Sequence, residues 1–338
     1  MINKAHAQFG QLRQMMQQPP SRDLWMELIA FMESHDPRVQ EDVLLPYIKG
    51  YLKQWPDELR TWHKSWTKRF LKARHVPAAG MATQLVISNR HLHQYPIEPL
   101  KRHLSYIDQI KSLHIEHESH LTAPFLAEFL SLSMFDHLET LNMEMDSVAS
   151  DQQMTFLTAL DGKPLKELKN YYSFHFNAHS IRELIGGQRW PQLNTLHLGS
   201  VDHEVQLFEE VVVHRNIQTF GLSMCNTTPW WNYARARQWL NHIEHLTVGH
   251  YYTSDMPEHS CRLLSEIELK QCKTLHMHIY GTSPDDVAQA LLKNRSLVNL
   301  REFYGCSFWR HKDTLRTLLD APHLHDDLKA FFTTTYHL

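Results

Sequence analysis

Apolar and polar positions alternate in a short phrase that recurs nine times along the chain. Each phrase reads apolar-x-x-apolar-x-apolar, and successive phrases begin 24 to 29 residues apart. The alternation predicts a short strand in which positions 1, 4 and 6 face the interior and positions 3, 5 and 7 face outward. A nearly fixed period of this length predicts a stacked array of repeats. The phrases begin at Ala82, Ile110, Leu138, Leu165, Leu193, Ile217, Ile243, Cys272 and Leu300.

The remaining ~20 residues of each unit return on the other side of the sheet, and several of these returns have helical spacing. The clearest is residues 283–294, where Ser283 is a predicted N-cap and Val287 and Leu291 face inward. Other predicted helices cover residues 123–135, 151–160 and 179–186. The pattern therefore predicts an α/β fold with one strand and usually one helix in each unit.

The recurring phrase, the unit length and the returning helices resemble the leucine-rich repeat family in its longer-unit form. The resemblance covers residues 82 to about 310 and implies a solenoid, or horseshoe, with a parallel β-sheet on the concave face and helices on the convex face. It departs from the family at the ninth phrase position, where only Cys225 matches the usual Asn or Cys. We therefore expect the turns to satisfy their backbone groups in another way.

Four segments follow from this reading. Residues 1–20 are polar and contain Pro19 and Pro20, which predicts a flexible N-terminus. Residues 21–80 carry helical signals and predict an N-terminal cap domain, similar to the short helical domain that precedes repeats in some bacterial proteins of unknown function. Residues 81–310 hold the repeats, and 311–338 form a predicted C-terminal cap. Within the N-terminal cap the clearest predicted helix begins at Pro56 and aligns Leu59, Trp62, Trp66 and Phe70.

Composition narrows the functional classes. A net charge of −3 argues against a broad nucleic-acid-binding face, and we find neither a signal peptide nor an apolar run long enough to cross a membrane. Four cysteines without C-x-x-C spacing favour a reducing, cytoplasmic setting. The motifs of phosphate-binding loops, dinucleotide folds, zinc proteases and serine hydrolases are absent, so we predict no enzymatic activity and no cofactor. The oligomeric state stays open.

The outward positions of the strands form the predicted binding surface, which the resemblance also implies. Glycines at 199, 221 and 249 predict a flat stretch where a partner approaches the backbone closely. A strand face tuned only for solubility is the alternative, although such a face would carry more Lys and Glu. The predicted partner-binding residues on this face are His114, Glu116, Asn142, Glu144, Lys169, Tyr171, His197, His245, His276, His278 and Tyr304.

A second conspicuous segment, residues 225–239, is rich in tryptophan and arginine. Trp230 and Trp231 next to Arg235 and Arg237 have the composition of an interface hot spot, and such aromatics could also stack on bases. Packing in the core of the convex side is the alternative, since aromatic residues must fill the unit.

The predicted function is a non-enzymatic scaffold that binds a protein partner on the concave surface. One alternative is a substrate adaptor for an enzyme complex, because residues 45–52 followed by Trp62 and Trp66 resemble the F-box motif. Another is a metal-binding or pH-responsive surface, because the chain has 26 histidines. His276 and His278 have the H-x-H spacing of a zinc or copper site, with His245 on the neighbouring strand.

Overall fold

The computed structural model divides into two compact units, residues 1–144 with 155–165, and residues 145–154 with 166–338. We describe each unit by itself. The residues that the structure describes are 2–63, 76–88, 97–101, 106–116, 123–144, 153–170, 176–200, 207–210, 212–224, 230–249, 256–277, 282–306, 308 and 311–336.

The first unit begins with four helices. Ser21 caps α2, where its hydroxyl accepts a hydrogen bond from the Leu24 N–H at 3.1 Å. The segment predicted to be flexible contains a helix, in which Leu12, Met15 and Met16 are buried. The helices are α1 Ile2–Met16, α2 Arg22–Glu33, α3 Pro37–Val39 and α4 Leu45–Leu52.

A π-helical turn, Gln40–Leu44, joins α3 to α4. Pro46 has no N–H to donate, so the ordinary i to i−4 ladder is interrupted there. The preceding Leu45 N–H bonds to the Gln40 carbonyl, one residue further back than in an α-helix. This extra residue in the turn lets the adjacent Leu44 and Leu45 both reach the core.

The prediction of a helix that begins at Pro56 is wrong over its first turns. Residues 57–59 form a single 3₁₀ turn, and Thr61–Trp62 is a strand, β1, that pairs in parallel with the strand of the first repeat. Trp62 is 1% exposed because it points into the coil, as position 4 of a repeat phrase does. Trp66 and Phe70 lie outside the described residues.

Arg60, directly before β1, is only 5% exposed. Its guanidinium donates to the Met81 carbonyl at 2.9 and 3.1 Å and to the Leu52 carbonyl at 3.3 Å. Burial lowers the pKa of Arg60, while Asp57, with its carboxylate at 3.7 Å, opposes that shift. A cation thus satisfies carbonyl groups from the helical segment and from the start of the repeats.

Each repeat phrase carries a strand, which confirms the parallel α/β repeat fold. Neighbouring strands pair in parallel and in chain order, β1-β2-β3-β4 in the first unit and β5-β6-β7-β8-β9-β10 in the second. Pairing joins equivalent phrase positions, so position 5 of one strand faces position 5 of the next. The strands after β1 are β2 Gln84–Ser88, β3 Ser112–Glu116, β4 Thr140–Met143, β5 Glu167–Asn170, β6 Thr195–Ser200, β7 Thr219–Met224, β8 His245–Val248, β9 Thr274–Met277 and β10 Glu302–Tyr304.

A helix follows the strand in each of the nine repeats. Ser283 caps its helix as predicted, and the Ser283 hydroxyl accepts from the Asp286 N–H at 3.1 Å. In order, the helices are α5 Glu98–Lys101, α6 Ala123–Leu130, α7 Gln153–Thr158, α8 Ala178–Ile185, α9 Leu207–Glu210, α10 Ala234–Leu240, α11 Met256–Glu266, α12 Pro284–Lys293, α13 Lys312–Leu319 and α14 Asp326–Tyr336.

Asn294, directly after α12, supplies backbone contacts that the sequence did not reveal. Its buried amide nitrogen donates to the carbonyls of Leu264 and Ile267 in the preceding repeat, at 2.8 and 2.7 Å. Ser296 donates to its amide oxygen at 2.7 Å. Of the ninth phrase positions only Phe308 is among the described residues, and it is buried. Within the described helices, none is long and apolar enough to cross a bilayer.

Candidate functional site

The sheet face, which we define as phrase positions 3, 5 and 7, carries the candidate site. Positions 4 and 6 are buried wherever they lie within a described strand, and this confirms the predicted alternation; Gly305, position 6 of the last phrase, follows β10 and is half-buried. On β3, for example, Leu113 and Ile115 are fully buried, while His114 and Glu116 are half-buried on the other side. Because pairing is in register, each phrase position forms a row from strand to strand within each of the two units.

In the first unit the row reaches His114 and Asn142, which are register partners on β3 and β4. The imidazole Nε2 of His114 lies 3.4 Å from the carboxylate of Glu144, so the two form an ion pair when the imidazole is protonated. Asn142 and Glu144 are both half-buried. The predicted residues of this unit are therefore close together, but part of their polar capacity is directed at one another.

The second unit begins with a similar intramolecular pair. Lys169 and Glu167 lie two residues apart on the same face of β5, with the Lys169 Nζ 2.9 Å from the Glu167 carboxylate. Tyr171, predicted at the next outward position, lies outside the described residues. Gly199 and Gly249 are buried.

His197 differs from its predicted exposure. It is only 8% exposed although it occupies an outward position on β6. Its register partner on β7 is Gly221, and a Cβ added to that glycine would meet the His197 Cδ2 at 1.7 Å. The imidazole therefore occupies the space that a Cβ at residue 221 would take. The expected close approach of a partner to the backbone is wrong at Gly221, since His197 fills that space.

The last three strands present a contrasting arrangement. On β9 His276 is exposed, and its ring stacks on Tyr304 of β10 with centroids 4.2 Å apart and planes at 26°. Phe331 of α14 approaches Tyr304 edge-on at 5.2 Å. Tyr304 nevertheless remains 42% exposed, and His245 on β8 is also exposed. We call His245, His276 and Tyr304 the β8–β10 patch.

Glu302 adjoins this patch on β10. The Tyr304 hydroxyl donates to the Glu302 carboxylate at 3.3 Å. Partial burial, together with the charge of Glu302, raises the pKa of the Tyr304 phenol. The phenol therefore stays neutral and acts as a donor at physiological pH.

The geometry does not favour the predicted three-histidine metal site. His245 is in register with Thr274, so it is one row away from His276, which pairs with Thr247. His278 lies outside the described residues. Among the residues that are described, no group of three or more His, Cys, Asp or Glu side chains could hold a metal ion.

The aromatic segment is part of the core rather than an exposed interface where it is described. Trp231, in the 3₁₀ turn Trp230–Asn232, is 2% exposed, which corrects its predicted assignment to a contact surface. Trp239 of α10 is fully buried against Phe208 and Phe220. The sequence alternative of core packing thus holds for both tryptophans. The Trp230 side chain lies outside the described part of the chain.

The comparisons with known proteins find similarity in structure but not in sequence. No protein-family model matches the sequence, and no curated protein matches it. The fold is similar to the crystal structure of the leucine-rich repeat-containing protein LegL7 from Legionella pneumophila, at 12% identity and a TM-score of 0.47, over 83% of this chain and 94% of that chain. The strand register and repeat spacing of this chain themselves identify its architecture as a leucine-rich repeat fold.

Proposed function

We propose that this chain is a non-enzymatic interaction scaffold that binds a protein partner through the sheet face of its second unit, centred on the β8–β10 patch. The observation that carries the proposal is the set of exposed His245, His276 and Tyr304 side chains on three adjacent, in-register strands. Tyrosine is enriched at the energetic centres of protein interfaces, because it buries a large surface at little cost in side-chain entropy.

The rigidity of the patch supports this role. His276 and Tyr304 are held against one another and against Phe331, so little side-chain freedom remains to be lost on binding. An open row of side chains on a sheet suits an extended or flat protein surface, whereas small molecules favour concave, enclosed sites.

The predicted contacts outside the patch belong to the proposal as a second tier. Glu116, Glu144, His114 and Asn142 in the first unit and Lys169 in the second lie on the sheet face, where a partner could reach them. Because His114 with Glu144, and Lys169 with Glu167, already interact, a partner would have to compete with those pairs. We therefore expect smaller contributions from these residues.

We also propose a reducing compartment for the protein. Among the described residues, neither Cys261 nor Cys272 forms a disulfide. Cys272 is fully buried, and burial raises its pKa to about 12, so it behaves as an inert apolar side chain. This supports the predicted cytoplasmic location.

The function can be tested without knowing the partner, by selecting peptides from a display library on the immobilised protein. The test variant combines His245→Ala, His276→Ala and Tyr304→Ala. The control combines Arg235→Ala, Gln238→Ala and Lys293→Ala, three exposed helical positions of the same unit. Both variants must first show the thermal unfolding midpoint of the wild type to within a few degrees.

We expect a group of selected peptides to bind the wild type and the control equally and to lose about tenfold or more in affinity on the test variant. Selected peptides that bind all three proteins alike would overturn the proposal. A loss on the control as large as that on the test variant would overturn it too, because binding would then not be located on the sheet face.

A further inference from the structure

Glu302 differs in its pairing from two other carboxylates of the sheet face, those of Glu144 and Glu167. The Glu144 carboxylate is 3.4 Å from His114, and the Glu167 carboxylate is 2.9 Å from the Lys169 ammonium. Glu302, beside the β8–β10 patch, has no basic side chain within ion-pair distance among the described residues, and its carboxylate accepts a hydrogen bond from the Tyr304 hydroxyl.

The basic side chains closest in sequence to Glu302 and on α14 are directed elsewhere. Arg301 precedes Glu302 on the strand, but its guanidinium Nε lies 3.5 Å from the Asp327 carboxylate. Lys329 on α14 has its Nζ 3.9 Å from Asp326. Both basic groups are thus engaged with acidic residues of α14, and Glu302 is left with a half-exposed negative charge on the sheet face.

Aromatic rings adjoin this charge. Tyr304 is 42% exposed, His276 stacks on it at 4.2 Å, and Phe331 stands nearly perpendicular to it, at 71°. Ring faces attract cations, and guanidinium groups stack on aromatic systems while donating paired hydrogen bonds to a carboxylate. A carboxylate beside exposed rings therefore has the chemistry that recognises a planar cation.

We propose that Glu302, Tyr304 and His276 bind an arginine side chain of the protein partner. This inference rests on the proposed function and adds to it the chemical class of the partner's central contact. Arginine is favoured over lysine because its planar fork can stack and donate two hydrogen bonds at once, whereas an ammonium is a compact, strongly hydrated charge.

A short peptide isolates this contact. The probe is N-acetyl-Gly-Gly-Arg-Gly-Gly-amide, compared with the same peptide carrying citrulline, a neutral isostere of arginine, or lysine. Binding is followed by the chemical shifts of the Tyr304 ring protons, which are identified by their disappearance in Tyr304→Leu.

We expect the arginine peptide to shift the Tyr304 signals saturably, the lysine peptide to bind more weakly, and the citrulline peptide to bind about fivefold or more weakly than the arginine peptide. Glu302→Gln should weaken arginine binding by a similar factor. Glu167→Gln, a carboxylate on the same face that already pairs with Lys169, is the matched control and should leave binding unchanged.

Equal binding of the arginine and citrulline peptides, or unchanged binding in Glu302→Gln, overturns the inference. The display selection separates this failure from failure of the proposed function. Peptides that depend on the β8–β10 patch but show no enrichment of arginine would leave the scaffold proposal standing and would reject arginine as its central contact.

Discussion

Two histidines at the same phrase position have opposite surroundings in this protein. His197 on β6 is buried, whereas His276 on β9 is exposed. The difference lies one repeat further along the chain, where the register partner of His197 is Gly221 and that of His276 is Tyr304. Gly221 leaves space that the His197 imidazole fills. The Tyr304 ring instead stacks against the His276 imidazole.

His114 on β3 is an intermediate case. Its register partner is Asn142, and its ring reaches Glu144, which directly follows β4. The exposure of a residue on the sheet face is therefore decided largely by the side chain at the equivalent position of the next repeat. Each repeat helps to shape the surface of the neighbouring repeat.

The strongest way to break the comparison is Gly221→Val, which inserts a branched side chain where the His197 ring lies. The contact at 1.7 Å leaves no space for a Cβ, so the ring must move out. We expect a loss of about 1–3 kcal/mol in the free energy of unfolding. Denaturant titration measures it, with Thr247→Val on the next strand as a control of small effect.

Removing the imidazole should relieve this strain. In Gly221→Val combined with His197→Ala we expect the two changes to cost less together than the sum of their separate costs, by about 1 kcal/mol. A double-mutant cycle of unfolding free energies gives this coupling. Strict additivity would mean that the ring does not occupy the space above residue 221.

A smaller effect separates the two histidines directly. His197→Ala removes a buried ring and should cost about 1–2 kcal/mol of unfolding free energy, whereas His276→Ala at the exposed patch should cost about 0.5 kcal/mol. Both are measured by the same titration at pH 7.5. Equal costs would contradict the assignment of His197 to the interior and of His276 to the surface.

The smallest effect we predict is a pH dependence that arises from partial burial of imidazoles. Burial lowers the pKa of His242, and the positive charges of Arg215 and His214 lower it further, although a hydrogen bond to the backbone of His214 opposes the shift. The unfolded chain therefore takes up a proton before the folded one does. The stability that neutral His242 contributes is fully present above about pH 6.5 and is lost as the pH falls through the lowered value.

The measurement is the unfolding midpoint at pH 7.5, 6.5 and 5.5 in wild type and His242→Gln. We expect the wild type to lose more stability across this range than the variant does. Part of the loss should remain in the variant, since burial lowers the pKa of His323 as well. An equal or steeper loss in His242→Gln would contradict the assignment.

The repeated phrases were sufficient to predict the strands, because an apolar–polar alternation that recurs nine times at a nearly fixed spacing is typical of stacked repeats. The strand β1 was missed for the opposite reason. It is two residues long and has no repeat phrase around it, and Leu59 with Trp62 happens to have helical spacing.

The candidate site was predictable only in outline. Its outward positions follow from strand alternation, but the burial of His197 depends on Gly221, 24 residues later. Reading the fifth phrase positions of adjacent units side by side would have revealed this histidine–glycine pair. Trp231 gave no such signal, since a cluster of tryptophans has the same composition in a core as at an interface.

The buried Arg60 has a consequence for how the protein can be dissected. Its guanidinium joins the carbonyl of Leu52 to that of Met81, so hydrogen bonds cross the position where a boundary between cap and repeats would be drawn. A truncation starting at residue 81 would strip β2 of its neighbour β1 and leave an unpaired strand edge, which invites aggregation. Fragments designed to study the repeats alone should therefore begin no later than α4 at Leu45, so that the Leu52 carbonyl and β1 are both kept.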